Sequence, residues 1–153
     1  NLRSQGAYVG AWEGMAPTTY NSSLSPRVCL STFQAESAAA TQACREVEYK
    51  RNLFRFLRVL RDNPTTLYVD NFATFLAAGS PIRKFSPRSK QFSIEERYVQ
   101  HGVEDGTVRV VHHPGALPVN PQKGEGFMVD ALTKPLAAPA LQHYYAELQG
   151  STV

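Results

Sequence analysis

The sequence lacks the features that mark several specialised classes of protein. It has 2 cysteines and 1 tryptophan in 153 residues, and neither cysteine belongs to a CxxC pair of the kind that binds zinc. No apolar run approaches the ~18 residues needed to span a bilayer. P-loop, GxSxG and HExxH motifs do not occur, which argues against nucleotide-binding, α/β-hydrolase and zincin-type sites. Internal repeats and low-complexity tracts are absent as well.

The isolated cysteines, Cys29 and Cys44, are typical of free thiols in a reducing, intracellular compartment, although the sequence leaves a disulfide open. The first residue is Asn1 rather than methionine, so we expect a fragment or a processed product. A removed targeting segment would leave no trace, and import into an organelle therefore stays an alternative.

The composition predicts one globular domain over residues 1–153. Apolar residues make up 42% of the chain and charged residues 19%, which is ordinary for a folded domain. The net charge of +3 permits contact with nucleic acid without requiring it. Basic residues are concentrated in two segments, residues 50–61 and residues 83–90.

Hydrophobic periodicity and turn residues predict alternating strands and helices. Strands are predicted over residues 6–14, 27–30, 67–70 and 107–112, and helices over 33–60, 71–78, 92–104, 127–132 and 140–148. Residues 15–27 and 114–126 are rich in turn-forming residues and read as loops. This order favours a mixed α/β domain with a central sheet flanked by helices.

The helix predicted over residues 33–60 contains neither glycine nor proline. Ser31 or Thr32 is positioned to cap its start, and the Asp62-Asn63-Pro64 sequence is expected to stop it. Its apolar residues recur at helical spacing, which predicts that they pack in the core. They are Val47, Leu53, Leu57 and Leu60, with Phe54 and Phe56 nearby.

Three carboxylates lie where predicted elements begin or end. Glu36 falls in the first turn of the long helix, Asp70 ends a strand, and Asp130 begins a late helix. Acids that converge at the carboxyl ends of strands can bind Mg²⁺ through oxygen ligands. The alternative is structural, because Glu36 can favour the helix dipole and the two aspartates can cap helices.

Four segments of the chain carry a resemblance to a known family. They are "VCLSTFQAESAAATQACRE", "TLYVDNFATFLAAGSP", "RSKQFSIEERYVQHGVEDGTVRVVHHP" and "MVDALTKPL". In this order they resemble the ribonuclease H (RNase H) domain of copia-type LTR retrotransposon polyproteins. The match covers about residues 20–136, with residues 137–153 as a C-terminal helical extension, and implies an RNase H-like fold.

The resemblance also implies a site. Glu36, Asp70 and Asp130 match three of the family's four catalytic carboxylates, which bind two Mg²⁺ ions and cut the RNA strand of an RNA–DNA hybrid. Asn71, Arg88 and Lys90 then become candidate nucleic-acid contacts, with a solvated surface as the alternative for the basic residues.

The first strand departs from the family pattern. The family's "GYSDADWAG" aligns with "GAYVGAWEG" in this chain, which places Val9 at the position of the first catalytic aspartate. Glu13 lies four positions later, ~13 Å along a strand, and is a poor substitute. The segment that follows leaves room for little beyond a loop, which predicts that one antiparallel strand of the N-terminal meander is missing.

Three functional hypotheses follow from these observations. The first is a degenerate, domesticated domain without nuclease activity, serving as a structural or nucleic-acid-associated subunit of a larger assembly. The second is an active two-metal ribonuclease H acting on RNA–DNA hybrids, with Mg²⁺ as its cofactor. The third is an assembly module that docks on a protein partner through the long helix or the 114–127 loop.

Overall fold

The fold comes from a computed structural model of the chain. It describes residues 3–11, 17–25, 28–29, 31–60, 62–79, 90–113, 129–133, 141–142 and 145. The secondary structure is mixed α/β, as the sequence predicts. The chain divides into two compact units, residues 1–28 with 114–153 and residues 29–113, and each is considered by itself. The single-domain assignment stays a prediction.

The first unit contains an antiparallel hairpin, β1 (Gln5–Ala11) and β2 (Pro17–Leu24). Val9 pairs with Tyr20, and the register shifts between Gly10 and Ala11. The loop prediction for residues 15–27 is therefore wrong over β2, because alternating small polar residues sustain strand pairing despite their turn-forming character. The inference of a missing strand rested on that loop and loses its basis.

The predicted strand at residues 27–30 is also wrong where it is described, since Val28 and Cys29 lie in no strand. A short helix, α4 (Asp130–Thr133), belongs to the same unit as the hairpin. The hydroxyl of Ser22 on β2 donates a hydrogen bond of 2.8 Å to the carbonyl of Leu132, which ties α4 to the sheet.

The second unit packs three helices against a two-stranded parallel sheet. The helices are α1 (Thr32–Phe56), α2 (Phe72–Gly79) and α3 (Lys90–Glu104), and the strands are β3 (Thr65–Val69) and β4 (Val108–His112). The parallel pairing requires the crossover that α2 and α3 provide. Among the described residues the four strands form two separate two-stranded sheets, so the predicted single central sheet is not present there.

Small residues build the core of the second unit. Ser37, Ala40, Thr41 and Cys44 are buried at helical spacing on α1. The hydroxyl of Thr41 donates to the carbonyl of Ser37 on its own helix and lies 3.1 Å from the carbonyl of Glu95 on α3. Short side chains on this face allow α1 and α3 to approach closely.

The long apolar residues of α1 do not all join this core. Val47 packs against it, but Leu53, Phe56 and Leu57 are 42%, 83% and 53% exposed. The core-packing prediction is therefore wrong for these three residues. The apolar periodicity predicted the helix correctly. The face of α1 that the tertiary structure buries, however, is the stripe of small residues near the start of the helix.

The end of α1 lies earlier than the sequence predicts. The helix stops at Phe56, and Arg58 adopts a left-handed backbone with φ of 58°. The amide of Arg58 donates to the carbonyl of Arg55, and that of Val59 to the carbonyl of Phe54, at 3.0 and 2.9 Å. This is a Schellman motif with arginine in the place that glycine usually takes. Within the described residues, no helix is long and apolar enough to cross a membrane.

Candidate functional site

The candidate site of the second unit lies at the carboxyl ends of β3 and β4. Parallel pairing brings Val69 opposite His112, and the backbone amide of His113 donates to the carbonyl of Val69 at 2.8 Å. Asp70 follows Val69 directly and is half-buried. The sheet thus presents Asp70 at the edge where ligands commonly bind in α/β folds.

The residue that caps α2 is Asn71, not Asp70. The side-chain oxygen of Asn71 accepts hydrogen bonds from the amides of Ala73 and Thr74, at 2.9 and 3.1 Å. Asn71 therefore caps the start of α2, which is a structural role for a residue predicted as a nucleic-acid contact. In the described part of the chain, the Asp70 carboxylate makes no hydrogen bond or ion pair, so capping does not explain it.

Aromatic rings surround the histidine beside Asp70. A ring nitrogen of His112 lies 3.2 Å from the backbone carbonyl of Asp70. The His112 ring meets Phe72 nearly edge-on, with centroids 5.3 Å apart, and Phe75 at 6.0 Å. His112 is thus a packing residue that links β4 to α2.

Glu36 belongs to the same unit as Asp70. Ser31 caps α1, its hydroxyl accepting from the amide of Gln34 at 3.2 Å, so the capping prediction is confirmed. The first turn of α1 contains no acid, and Glu36 lies just beyond it, half-buried. The dipole explanation for Glu36 loses weight because the effect falls off within that turn.

Asp130 belongs to the other unit. It begins α4 as predicted, on the element that Ser22 holds against the hairpin. The side chain of Asp130 lies outside the described residues, as do those of Arg88 and Lys90. The structure therefore brings Glu36 and Asp70 into one unit and places the backbone of Asp130 in the other.

Neither strand of the hairpin contains a carboxylate. The strand sequences are QGAYVGA and PTTYNSSL, so neither β1 nor β2 has an aspartate or a glutamate. Val9 is half-buried and is held in register opposite Tyr20. Glu13 lies outside the described residues. Alignment with the family pattern alone identified Val9 as the residue at the position of the first catalytic aspartate. Its pairing with Tyr20 shows that this position is part of a strand.

The resemblance implies a metal pair held by Glu36, Asp70 and Asp130, and the side chains of the first two lie among the described residues. Mg²⁺ prefers several oxygen ligands in octahedral geometry. The described residues contain no group of three or more histidine, cysteine, aspartate or glutamate side chains that could hold a metal ion. The side chain of Asp130 lies outside that part of the chain, so the three-acid metal site stays a prediction.

The two cysteines differ in burial. Neither forms a disulfide; Cys44 is 2% exposed and Cys29 is half-buried. Burial, together with the nearby carboxylates of Glu48 and Asp105, raises the pKa of the Cys44 thiol from 9.0 to about 11. A nucleophilic cysteine needs the opposite shift, so Cys44 is a core residue. The prediction of two thiols without a disulfide is confirmed.

Comparisons with known proteins relate the chain to retroelements. It is 28% identical over 136 residues, 88% of the chain, to the Retrovirus-related Pol polyprotein from transposon RE1 of Arabidopsis thaliana. It is 28% identical over 132 residues, 86% of the chain, to the corresponding protein from transposon RE2 of the same plant. The chain spans 8% of the length of each of these relatives. No family model and no solved structure matches. These similarities support a domain derived from a retrotransposon Pol polyprotein.

Proposed function

We propose that this chain is an RNase H-like domain of copia-type origin that no longer cleaves RNA. It serves as a structural or nucleic-acid-associated part of a larger assembly, in the manner of a domesticated retroelement domain. The observation that carries the proposal is the pair of strands without a carboxylate, in which Val9 stands where the resemblance requires an aspartate. An apolar side chain offers no charge or lone pair to a cation, so paired-metal binding would lose a ligand.

The retained acids fit this proposal as remnants of a site. Asp70 keeps its place at the carboxyl end of a parallel strand, and Glu36 keeps its place near the start of α1. Neither acid can replace a ligand on β1, because the position of each acid is fixed by the helix or strand to which it belongs. Asn71 is useful to the fold independently of any chemistry, since its side chain caps α2.

The experiment is a cleavage assay on an RNA–DNA hybrid with a labelled RNA strand, at millimolar Mg²⁺. We expect the chain to give no product above background, and Asp70→Asn to give the same result. Mg²⁺-dependent cleavage that disappears in Asp70→Asn would overturn the proposal. Because trace nuclease is the usual contaminant, the Asp70→Asn protein purified in parallel is the matched control.

A restoration experiment tests the role of Val9 directly. Val9→Asp supplies the missing carboxylate on the paired strand, with Tyr20 opposite it unchanged. If the absent acid is the main defect, cleavage of the hybrid should appear in Val9→Asp and vanish in Val9→Asp with Asp70→Asn. Val9→Asn is the control for placing a polar side chain at a half-buried position without adding charge.

The second candidate is an active ribonuclease H with Mg²⁺ as cofactor. The observation in its favour is the Asp70 carboxylate, half-buried at the strand end and without a hydrogen-bond partner among the described residues. Its acids would be Glu36, Asp70 and Asp130, completed by Glu13 or by an acid of another chain. Activity of the unmodified chain that requires all three of these acids would favour this candidate over the first.

A further inference from the structure

The C-terminal end of α1 exposes a contiguous set of large apolar side chains. Tyr49, Leu53 and Phe56 follow one another at intervals of four and three residues, which places them on one face of the helix, and Leu57 is the C-cap residue directly after Phe56. They are 67%, 42%, 83% and 53% exposed, and Val59, just beyond the helix, is 62% exposed. These five residues are called the α1 patch. Single exposed apolar residues are ordinary, but a contiguous group on a structured element marks an interaction site.

The patch is built on a closed and ordered helix end. Two backbone hydrogen bonds to the carbonyl of Phe54, from the amides of Val59 and Leu60 at 2.9 and 3.2 Å, fold the chain back at this point. The guanidinium of Arg51 donates to the carbonyl of Asn63 at 2.8 Å and holds the following segment. A surface that is already ordered loses little entropy when a partner binds.

Positive charge surrounds the patch. Residues 49–60 contain Lys50, Arg51, Arg55 and Arg58 and no carboxylate. Lys50 is paired with Glu46 at 3.8 Å, whereas Arg55 donates to the neutral amide of Asn52. Within the described residues, Arg55 and Arg58 form no ion pair. The apolar face is thus flanked by cations whose charge is not neutralised.

We propose that the α1 patch docks an acidic amphipathic α-helix of a partner protein. The spacing of its apolar residues matches the repeat of one helix packing against another, and acidic flanks on the partner would complement Arg55 and Arg58. A second copy of this chain is a poor occupant, because a symmetric contact would place like charges together. Nucleic acid is a poor occupant as well, because three of the five residues are aliphatic and cannot stack with bases.

This inference does not depend on whether the chain cleaves RNA. It concerns a different element from the Asp70 edge of the sheet, and its failure would leave the proposed function untouched. It specifies the chemistry of the partner that a subunit of a larger assembly would bind, which is an apolar helical stripe flanked by glutamate or aspartate.

The test uses a synthetic helical peptide with leucine at heptad positions a and d and glutamate at e and g, titrated into the full chain by fluorescence anisotropy. We expect saturable binding that weakens about tenfold or more in Phe56→Ser with Leu57→Ser, since buried anchors carry most of the affinity at such contacts. Ile94→Ser, an equally exposed apolar residue on α3 at 66%, is the matched control and should bind as the parent chain does.

Charge exchange gives the second arm. The double variant Arg55→Glu with Arg58→Glu should no longer bind the glutamate peptide and should instead bind the same peptide with lysine at e and g. Arg3→Glu, on the other unit, should change the binding of neither peptide. Thermal melts would verify that the variants fold, as we expect for substitutions at exposed positions. The proposal is overturned by a glutamate peptide that does not bind, or by binding that the patch variants leave unchanged. Stronger patch-dependent binding to phosphatidylserine vesicles or to single-stranded oligothymidine would also overturn it.

Discussion

Gly102 lies in a closely packed part of the core of the second unit. It lies on α3, facing α1 and β4, and a Cβ atom added there would be 3.0 Å from the Cys44 sulfur and 3.2 Å from a methyl carbon of Val108. Apolar atoms normally meet at about 3.5–4.0 Å. Cys44 and Val108 are 2% and 1% exposed, so neither side chain has free space to move into.

The Gly102→Ala substitution should therefore destabilise the fold, against the usual trend. In a helix interior this exchange ordinarily adds about 1 kcal/mol to the free energy of unfolding. Overpacking a well-packed core costs about 1–3 kcal/mol. With a cost near the middle of that range, about 2 kcal/mol, the net loss is about 1 kcal/mol.

The assay is urea denaturation followed by circular dichroism, with Gly79→Ala as the matched control. An added Cβ at Gly79, the last residue of α2, meets nothing within 4 Å, so its substitution should be neutral or stabilising. Gly102→Ala should thus lower the unfolding midpoint, whereas Gly79→Ala should raise the midpoint or leave it unchanged.

A double-mutant cycle isolates the contact. Cys44→Ala removes the sulfur, so Gly102→Ala should cost less in that background, with a coupling of about 1 kcal/mol. Additive effects, or a Gly102→Ala variant as stable as Gly79→Ala, would refute the close-packing argument. Such a result would mean that α1 and α3 can separate without loss of other contacts.

Four further predictions follow from particular contacts. Asn71→Ala removes the cap of α2 and should lower the free energy of unfolding by about 1 kcal/mol in denaturant titrations, whereas Asn71→Asp keeps an accepting oxygen and should cost less. Arg58→Gly should raise the free energy of unfolding by about 1 kcal/mol and with it the thermal midpoint, because glycine adopts the left-handed backbone without strain. A lower midpoint would argue against strain at Arg58. Since the pKa of Cys44 is raised from 9.0 to about 11, iodoacetamide should modify Cys29 first, as peptide mass spectrometry would show; preferential modification of Cys44 in the folded chain would contradict this. The same shift means that unfolded Cys44 loses its proton at lower pH than the folded thiol, so stability should fall from about pH 9 to 11, and less steeply in Cys44→Ala.

The sequence alone determined most of the second unit. Local signals act there without help from distant contacts: Ser31 before an alanine-rich run starts α1, Gly79 ends α2, and the turn at Asp105-Gly106 precedes β4. Cap and turn chemistry depends on a few neighbouring residues, so it can be read without the fold. The similarity to Pol polyproteins was also accessible from the motifs.

The tertiary structure alone decided which surfaces are buried and which segment completes the hairpin. β2 is made of threonine, serine and asparagine, and pairing with β1 rather than intrinsic propensity makes it a strand. On α1, helical periodicity predicts a stripe but cannot tell which stripe meets a neighbour. The small residues around Cys44 are buried because α3 approaches there, and Leu53 and Phe56 stay exposed because no described element covers them.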